Sequence, residues 1–459
     1  MLRTVMSSPI ISVGLAVALF SVGAVLAASA PPQREDYIRE PLPPGFQVIA
    51  TELDGPVFAD ANGRTLYVWP LKQARSSFVG EQPGKPTCGD TKYTRSAGYS
   101  SVYPEGFELP DAATRKSCIE VWPPSYGAEN AKPVGKWTMV DRPDKKKQWA
   151  YDGMAVYTSV LDRAPGDVNG GTNRKRGAGD RSGSRRDPIG PKPYIPPQFN
   201  VTQVATGRLL STSEGFSLYM WDKDGPNKSN CDAACLREWA PALAPDAAPA
   251  SLGEWSVFER SPGVKQWAFR GNPLYTHRTD LNDRGLVGSD VPGWHNVYTQ
   301  RMPAPPAHFT IQDTLAGQVL ADERGRTVYV YFCVDDTVDQ QICDHPDTTQ
   351  AYRIATCGDS DPARCLQLFP YLVAATGAKS VNHLWTAMDI DPMTGQRAMP
   401  GQAGSLRVWA FRDRPVYSCA RDKHPGDIEC DAWGDGNGFH SGFKAFWLRY
   451  DYNDSENAG

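Results

Sequence analysis

At 459 residues the chain is too long for one compact core, and two to four domains is the natural expectation. A formal charge of −4 over that length argues for neither a nucleic-acid binder nor an acidic tail protein. With 13 Trp, 19 Tyr and 39 Pro, the composition fits short strands joined by turns.

In chain order, residues 1–30 read as a signal peptide. Arg3 gives a basic start, Ile10–Leu26 is apolar and uncharged, and Ala27-Ala28-Ser29-Ala30 suits cleavage at Ala27 or Ala30. The apolar run borders on spanning length, so an uncleaved anchor is the alternative. No later stretch is long and apolar enough to cross a bilayer, and no Cys precedes Cys88 to carry a lipid. The expected product is periplasmic or secreted, not lipidated, with no transmembrane segment after cleavage.

A unit is then written three times, over 43–169, 197–302 and 305–451, with a flexible tail expected at 452–459. Each opens on a Pro pair and a Phe: Phe46, Phe199 and Phe309. About twenty residues later come "GRTLYVW" from Gly63, "GFSLYMW" from Gly215 and "GRTVYVY" from Gly325. The preceding alternation ending at Gly predicts a strand entering a tight turn, most clearly at Asn62-Gly63. Leu66 and Val68 should face one way, and Thr65, Tyr67 and Trp69 the other, with both faces covered.

A Cys pair and an aromatic follow: Cys88 and "CIEVW" from Cys118, "CDAACLREW" from Cys231, and Cys357 with "CLQLF" from Cys365. These segments predict one or two helical turns. A second hairpin closes each unit, so that Trp137, Trp255 and Trp385 correspond, as do Trp149, Trp267 and Trp409. Its turn precedes weaker echoes of the first motif, "GMAVYT", "GNPLYT" and "DRPVYS". Six hairpins around an axis would be one arrangement. The interval between the repeated tyrosines is 90, 56 and 88 residues (Tyr67 to Tyr157, Tyr219 to Tyr275, Tyr329 to Tyr417). The second unit is therefore the minimal form, and the insertions in the others are expected on surface loops.

Residues 170–196 read as a basic Gly/Pro/Ser-rich linker, carrying Arg174, Lys175, Arg176, Arg181, Arg185 and Arg186 against Asp180 and Asp187. The join between the second and third units is short, so these two are expected to pack more closely than the first and second. The ten cysteines, Cys88, Cys118, Cys231, Cys235, Cys333, Cys343, Cys357, Cys365, Cys419 and Cys430, predict five disulfides in an exported chain. Sequence leaves open the pairing among Cys333, Cys343, Cys419 and Cys430. The fold class is mainly β: three tandem disulfide-stapled units of antiparallel hairpins with short helical turns, in a sandwich, small-barrel or propeller-like arrangement.

These residues resemble a secreted-repeat family of bacterial envelope proteins, marked by Tyr-x-aromatic-x-x-Asp after a Gly turn. The second unit matches in full with Tyr219, Trp221 and Asp224. Lys72 and Val334 stand where the Asp falls in the other two units. The resemblance implies an exported repeat protein without a settled activity. Many members are lipoproteins, a property that the missing lipid-bearing Cys does not carry over.

The candidate sites are polar turns and exposed aromatics. Tyr219, Trp221 and Asp224 are the ligand-binding candidates, with Trp221 offering a face for a sugar ring or a quinone-like ligand. Asp162, Asp167 and Asn169, and Asp422 and Asp427 beside Glu429, supply oxygens that suit calcium, although Asp beside Pro-Gly is first of all turn chemistry. Asp280 and Asp283 are the thinner counterpart in the second unit. The seven His (His277, His295, His308, His345, His383, His424 and His440) show no metal spacing, and a redox role for Cys231 and Cys235 is outweighed by a structural bridge. No acid, base or nucleophile recurs with the repeat. The expectation is therefore an envelope binding or scaffold protein rather than an enzyme, with another envelope protein or a polysaccharide as partner. An electron-transfer accessory is the alternative, and a hydrolase using Asp162 or Asp422 a third idea.

Overall fold

A Gly turn begins the central strand of every unit. In the computed structural model, which describes residues 35–71, 80–98, 102–170, 186–280, 285–333, 337–434 and 442–450, Gly63, Gly215 and Gly325 have φ of 82°, 100° and 79°. Only glycine adopts this region without strain. The signal segment, the tail, Lys72, Val334, Asp283, His440, and Arg174, Lys175, Arg176, Asp180, Arg181 and Arg185 of the expected linker lie outside the described residues.

Before the turn an antiparallel hairpin forms in each unit: Gln47–Ala50 with Pro56–Ala59, Phe199–Val204 with Gly207–Thr212, and Thr310–Thr314 with Gly317–Ala321. After it run the central strands Tyr67–Val68, Tyr219–Trp221 and Tyr329–Phe332. The closing hairpins pair Trp137 with Tyr151, Trp255 with Phe269 and Trp385 with Phe411. Their tight turns take positive φ at Asp152 and Gly153, at Arg270 and Gly271, and at Arg412 and Asp413. Asp413 thus occupies the left-handed position that glycine fills in the other two copies.

The six tyrosine motifs do not make six separate elements. Tyr67 pairs across strands with Tyr157, Tyr219 with Tyr275 and Tyr329 with Tyr417, so the copies meet two by two. A further strand closes each unit on the other side of the centre. Asp187–Pro188 pairs with Tyr67–Val68, Trp294–Asn296 with Tyr219–Trp221, and Gly442–Ala445 with Tyr329–Phe332. The end of the segment read as a linker therefore contributes a strand to the first unit's sheet.

The alternation expected at Leu66–Trp69 is realised in all three units. Tyr67 and Trp69 belong to a core cluster with Cys88, Cys118 and Trp122, while Leu66 and Val68 join Trp137 and Trp149 on the opposite side. Tyr219 likewise clusters with Cys231 and Trp239, and Leu218 with Trp255 and Trp267. Tyr329 and Tyr331 face the disulfide side, and Val328 and Val330 face Trp385 and Trp409. Truncating a fully buried Trp of this kind typically costs about 3–5 kcal/mol.

The fold is mainly β with antiparallel sheets, and helix is confined to short pieces such as Cys118–Val121, Ala351–Gly358 and Pro362–Leu368. The sheets are open, with two to five strands, and no closed barrel forms among the described residues. No small barrel closes among the described residues, and separate core clusters cover the two sides of the central strands instead. Five disulfides join Cys88 to Cys118, Cys231 to Cys235, Cys333 to Cys343, Cys357 to Cys365 and Cys419 to Cys430. Each bridge is local to one unit, and the four thiols whose pairing the sequence left open, Cys333, Cys343, Cys419 and Cys430, pair with their neighbours in sequence.

The described residues make one compact unit. The two insertions are not merely surface loops. Tyr103 and Leu109 of the first unit are buried in the third unit's disulfide-side core, and Ile342 of the third lies in the first unit's. A largely buried ion pair, Arg412 to Asp54 at 2.8 Å, and a more exposed one, Arg163 to Asp347 at 2.7 Å, also join these two units. Apolar residues carried by the insertions thus add a contact between the first and third units that the spacing of the units along the chain does not announce.

Candidate functional site

Each central tyrosine reaches an aspartate in the turn that follows the closing hairpin. Tyr67 Oη donates to Asp162 Oδ2 at 3.0 Å, Tyr219 to Asp280 at 2.8 Å, and Tyr329 to Asp422 at 3.0 Å. Burial raises the pKa of all three carboxyls, and Asp422 is pushed up to about 6. The tyrosine hydroxyls are raised too, by burial first and the adjacent carboxylate second.

The second tyrosine of the first and second units has an acidic partner on the opposite side. Tyr157 Oη donates to Glu81 at 2.5 Å and Tyr275 Oη to Asp224 at 2.7 Å. A buried glutamine beside it is held by an arginine. Arg142 donates to Gln148 Oε1 and to the Cys88 carbonyl, and Arg260 donates to Gln266 Oε1 and to the Cys231 carbonyl. The third unit replaces this polar pair with Ile390 and Val408, both fully buried.

The acidic turns are tied internally. Asp162 Oδ1 accepts from the Asn169 N–H, and Asp167 Oδ2 from the N–H groups of Arg163 and Ala164. Asp427 Oδ2 accepts from Lys423 and His424 in the same way, while the Asp167 Oδ1 meets His383 Nδ1 at 2.8 Å. The carboxylate oxygens of Asp162, Asp167, Asp422 and Asp427 therefore accept from different donors instead of converging on one point, and Asn169 takes part through its backbone, its N–H donating to Asp162 and its carbonyl accepting from Arg414. Among the described residues no group of three or more His, Cys, Asp or Glu is placed to hold a metal ion.

An aromatic stack missed at the sequence level runs through every unit. In the second, Trp294 lies parallel to Trp239 at 3.6 Å and to Trp221 at 5.2 Å. In the third, Phe443 takes the place of Trp294, parallel to Phe369 at 3.6 Å and tilted by 53° to Tyr331 at 5.2 Å. In the first, the guanidinium of Arg186 fills that layer, 3.7 Å from the centre of Trp69 and 4.4 Å from Trp122. The common requirement is a flat group, met by an indole, a phenyl or a guanidinium.

Of the three ligand-binding candidates, Tyr219 is fully buried and Asp224 is engaged by Tyr275 and by the Asn230 N–H. Trp221 keeps part of its surface in solvent, as does Asp224. Beside it are Asp222 and His295, residues outside that trio, with Asp222 Oδ2 at 2.9 Å from His295 Nε2. The Lys223 ammonium lies 5.1 Å over the Trp221 ring. A separate cleft of about 70 Å³ lies between the insertions, lined by Arg115, Gln341, Ile342, Gln350 and Tyr352 among others.

Residues 138–175 and 201–243 match the model of a family described as a secreted repeat of unknown function. The first region covers the closing hairpin and acidic turn of one unit, and the second the opening hairpin and Cys motif of the next. No curated protein and no solved structure matches the chain. No helix among the described residues is long and apolar enough to cross a membrane. An extracellular or periplasmic location agrees with the secreted repeat.

Proposed function

We propose that this secreted repeat protein is a non-catalytic binding or scaffold module of the cell envelope. It would be exported by cleavage at Ala27 or Ala30 and remain unlipidated in the periplasm or outside the cell. One observation carries the reading: the polar side chains that recur with the repeat serve to hold it together. The Tyr–Asp pairs, the Arg–Gln–carbonyl links and the acidic turns all take partners from the same chain. A cleft of about 70 Å³ is also far smaller than the roughly 300–1,000 Å³ of small-molecule sites. The partner class is an envelope polysaccharide or another envelope protein.

The test uses the mature protein, immobilised and exposed to solubilised envelope fractions. Saturable retention of an envelope component, unchanged by Asp162→Asn and Asp422→Asn, is the expected result. Turnover of any substrate that disappears with either substitution would end the reading. Mass spectrometry of the exported protein checks the cleavage site and the absence of a lipid.

A further inference from the structure

The outer aromatic of the stack is closed off in two units and open in one. Trp69 and Tyr331 are each 2% exposed. The insertions bring the covering residues: Ile342 packs into the cluster of Trp69, and Tyr103 and Leu109 into that of Tyr331. The second unit has no insertion, and Trp221 stays partly exposed. Stacked on Trp294, its ring is already ordered, so a ligand meeting it has little side-chain entropy to remove. Asp222 and His295 at its edge are 62% and 44% exposed, and Lys223 is exposed as well.

The geometry points to Trp221 as a glycan-binding face that takes one neutral pyranose ring. This rests on the binding-module reading and names its ligand class. The C–H face of a pyranose is apolar and flat enough to stack on an indole. Hydroxyls at the sugar's edge both donate and accept, which matches the Asp222 carboxylate as acceptor and, once its flexible stem swings off the ring it now lies over, the Lys223 ammonium as donor. A dry protein surface fits less well: it would desolvate Lys223 and the Asp222–His295 pair without supplying hydrogen bonds in return.

The experiment titrates the mature full-length protein with soluble trisaccharides of N-acetylglucosamine, glucose, mannose and galactose. Intrinsic Trp fluorescence and calorimetry provide the readouts. At least one sugar should bind saturably, weakened by about tenfold or more in Trp221→Ala. Asp222→Ala, at an exposed position that leaves packing intact, should weaken it severalfold without moving Tm, and Leu315→Ala, fully exposed in the turn between Thr310–Thr314 and Gly317–Ala321, should change nothing. Absence of saturable binding up to about 10 mM overturns the inference, as does binding that both Trp221→Ala and Asp222→Ala leave unmoved. Retention by envelope protein after glycan digestion, with no sugar binding, leaves the binding module standing and removes the glycan. If no envelope component is retained at all, both fall.

Discussion

Tyr219 donates a 2.8 Å hydrogen bond to Asp280 from a position with no solvent exposure, and the same bond recurs at Tyr67–Asp162 and Tyr329–Asp422. Each bond ties the central strand to the turn beyond the closing hairpin. Tyr219→Phe keeps the ring and removes only the donor, leaving a buried carboxyl short of a partner. The expected loss is about 1–3 kcal/mol in urea unfolding, with an unchanged far-ultraviolet spectrum. Phe variants at Tyr67 and Tyr329 should fall in the same range. Neutral behaviour at all three would remove these bonds as the staple of the repeat.

Much of this frame is legible in the sequence, for reasons that can be named. The Gly turns need positive φ, the tyrosines sit at strand period, and the Cys pairs are local, so each leaves a residue-type signature. The closing strand leaves none. Arg186, Trp294 and Phe443 share planarity and register with Trp69, Trp221 and Tyr331, but not identity, and two of the three sit beside segments of unrelated composition. Asp222 and His295 are brought together by that strand pairing, which matches Met220 with His295, and so were equally hidden. The meeting of Tyr103 and Ile342 with the opposite units was invisible because sequence spacing carries no information on which insertion covers which face.

Arg186 is the test of the planar-layer argument. Its guanidinium lies between two indoles, so Arg186→Ala opens a slot as well as removing cation–π attraction. A loss of about 2–3 kcal/mol is expected. Arg186→Lys should recover little, since an ammonium on a flexible stem does not fill a flat layer. Equal stability of the Lys variant and the parent would show that charge, not shape, is what the layer requires.

Stability should depend on pH with an unusual sign. The folded pKa of Asp422 is raised from 3.8 to about 6, mainly by burial, and Asp162 and Asp280 are raised for the same reason. The folded state then binds more protons than the unfolded one between those values. Stability from this source is fully present below the unfolded pKa and is lost as pH rises through the folded one. Asp347 works the other way. Burial would raise it, but His345, Arg397 and Arg163 together hold it at about 2, so its contribution is lost only in stronger acid. Thermal melts should therefore show Tm rising as pH falls from about 6.5 to about 4.5, and Asp422→Asn should flatten that slope. Burial holds the His345 pKa well below its ordinary value, which works against this slope in the same range, so the assignment is contradicted if Asp422→Asn leaves the slope unchanged from the parent.

Loop length separates the disulfides. Cys88–Cys118 closes 30 residues and Cys231–Cys235 only 4. In the chain-entropy description the long loop contributes about 3–4 kcal/mol and the short one about 2. Paired Cys→Ser variants, unfolded in guanidinium, should preserve that order. A costlier loss at Cys231–Cys235 would mean that the short bridge acts through packing around Trp239 and Trp294 rather than through the unfolded chain.

The seam between the first and third units gives the last prediction. Arg412 and Asp54 are 6% and 14% exposed in their side chains, and Arg412 also donates to the Val168 carbonyl at 2.8 Å. A charge removed from a buried pair leaves its partner uncompensated, a cost of about 3–5 kcal/mol. Arg412→Met keeps an apolar stem in place and so isolates the charge. Because the pair joins two units, the loss should appear as lost cooperativity: the calorimetric enthalpy should exceed the van't Hoff enthalpy where the parent shows them equal. Asp54→Asn in the same chain should restore part of the stability, since the stranded carboxylate is then gone, but not the coupling. If the parent already melts in separate steps, the seam does not unite the units and Asp54–Arg412 is a local contact only.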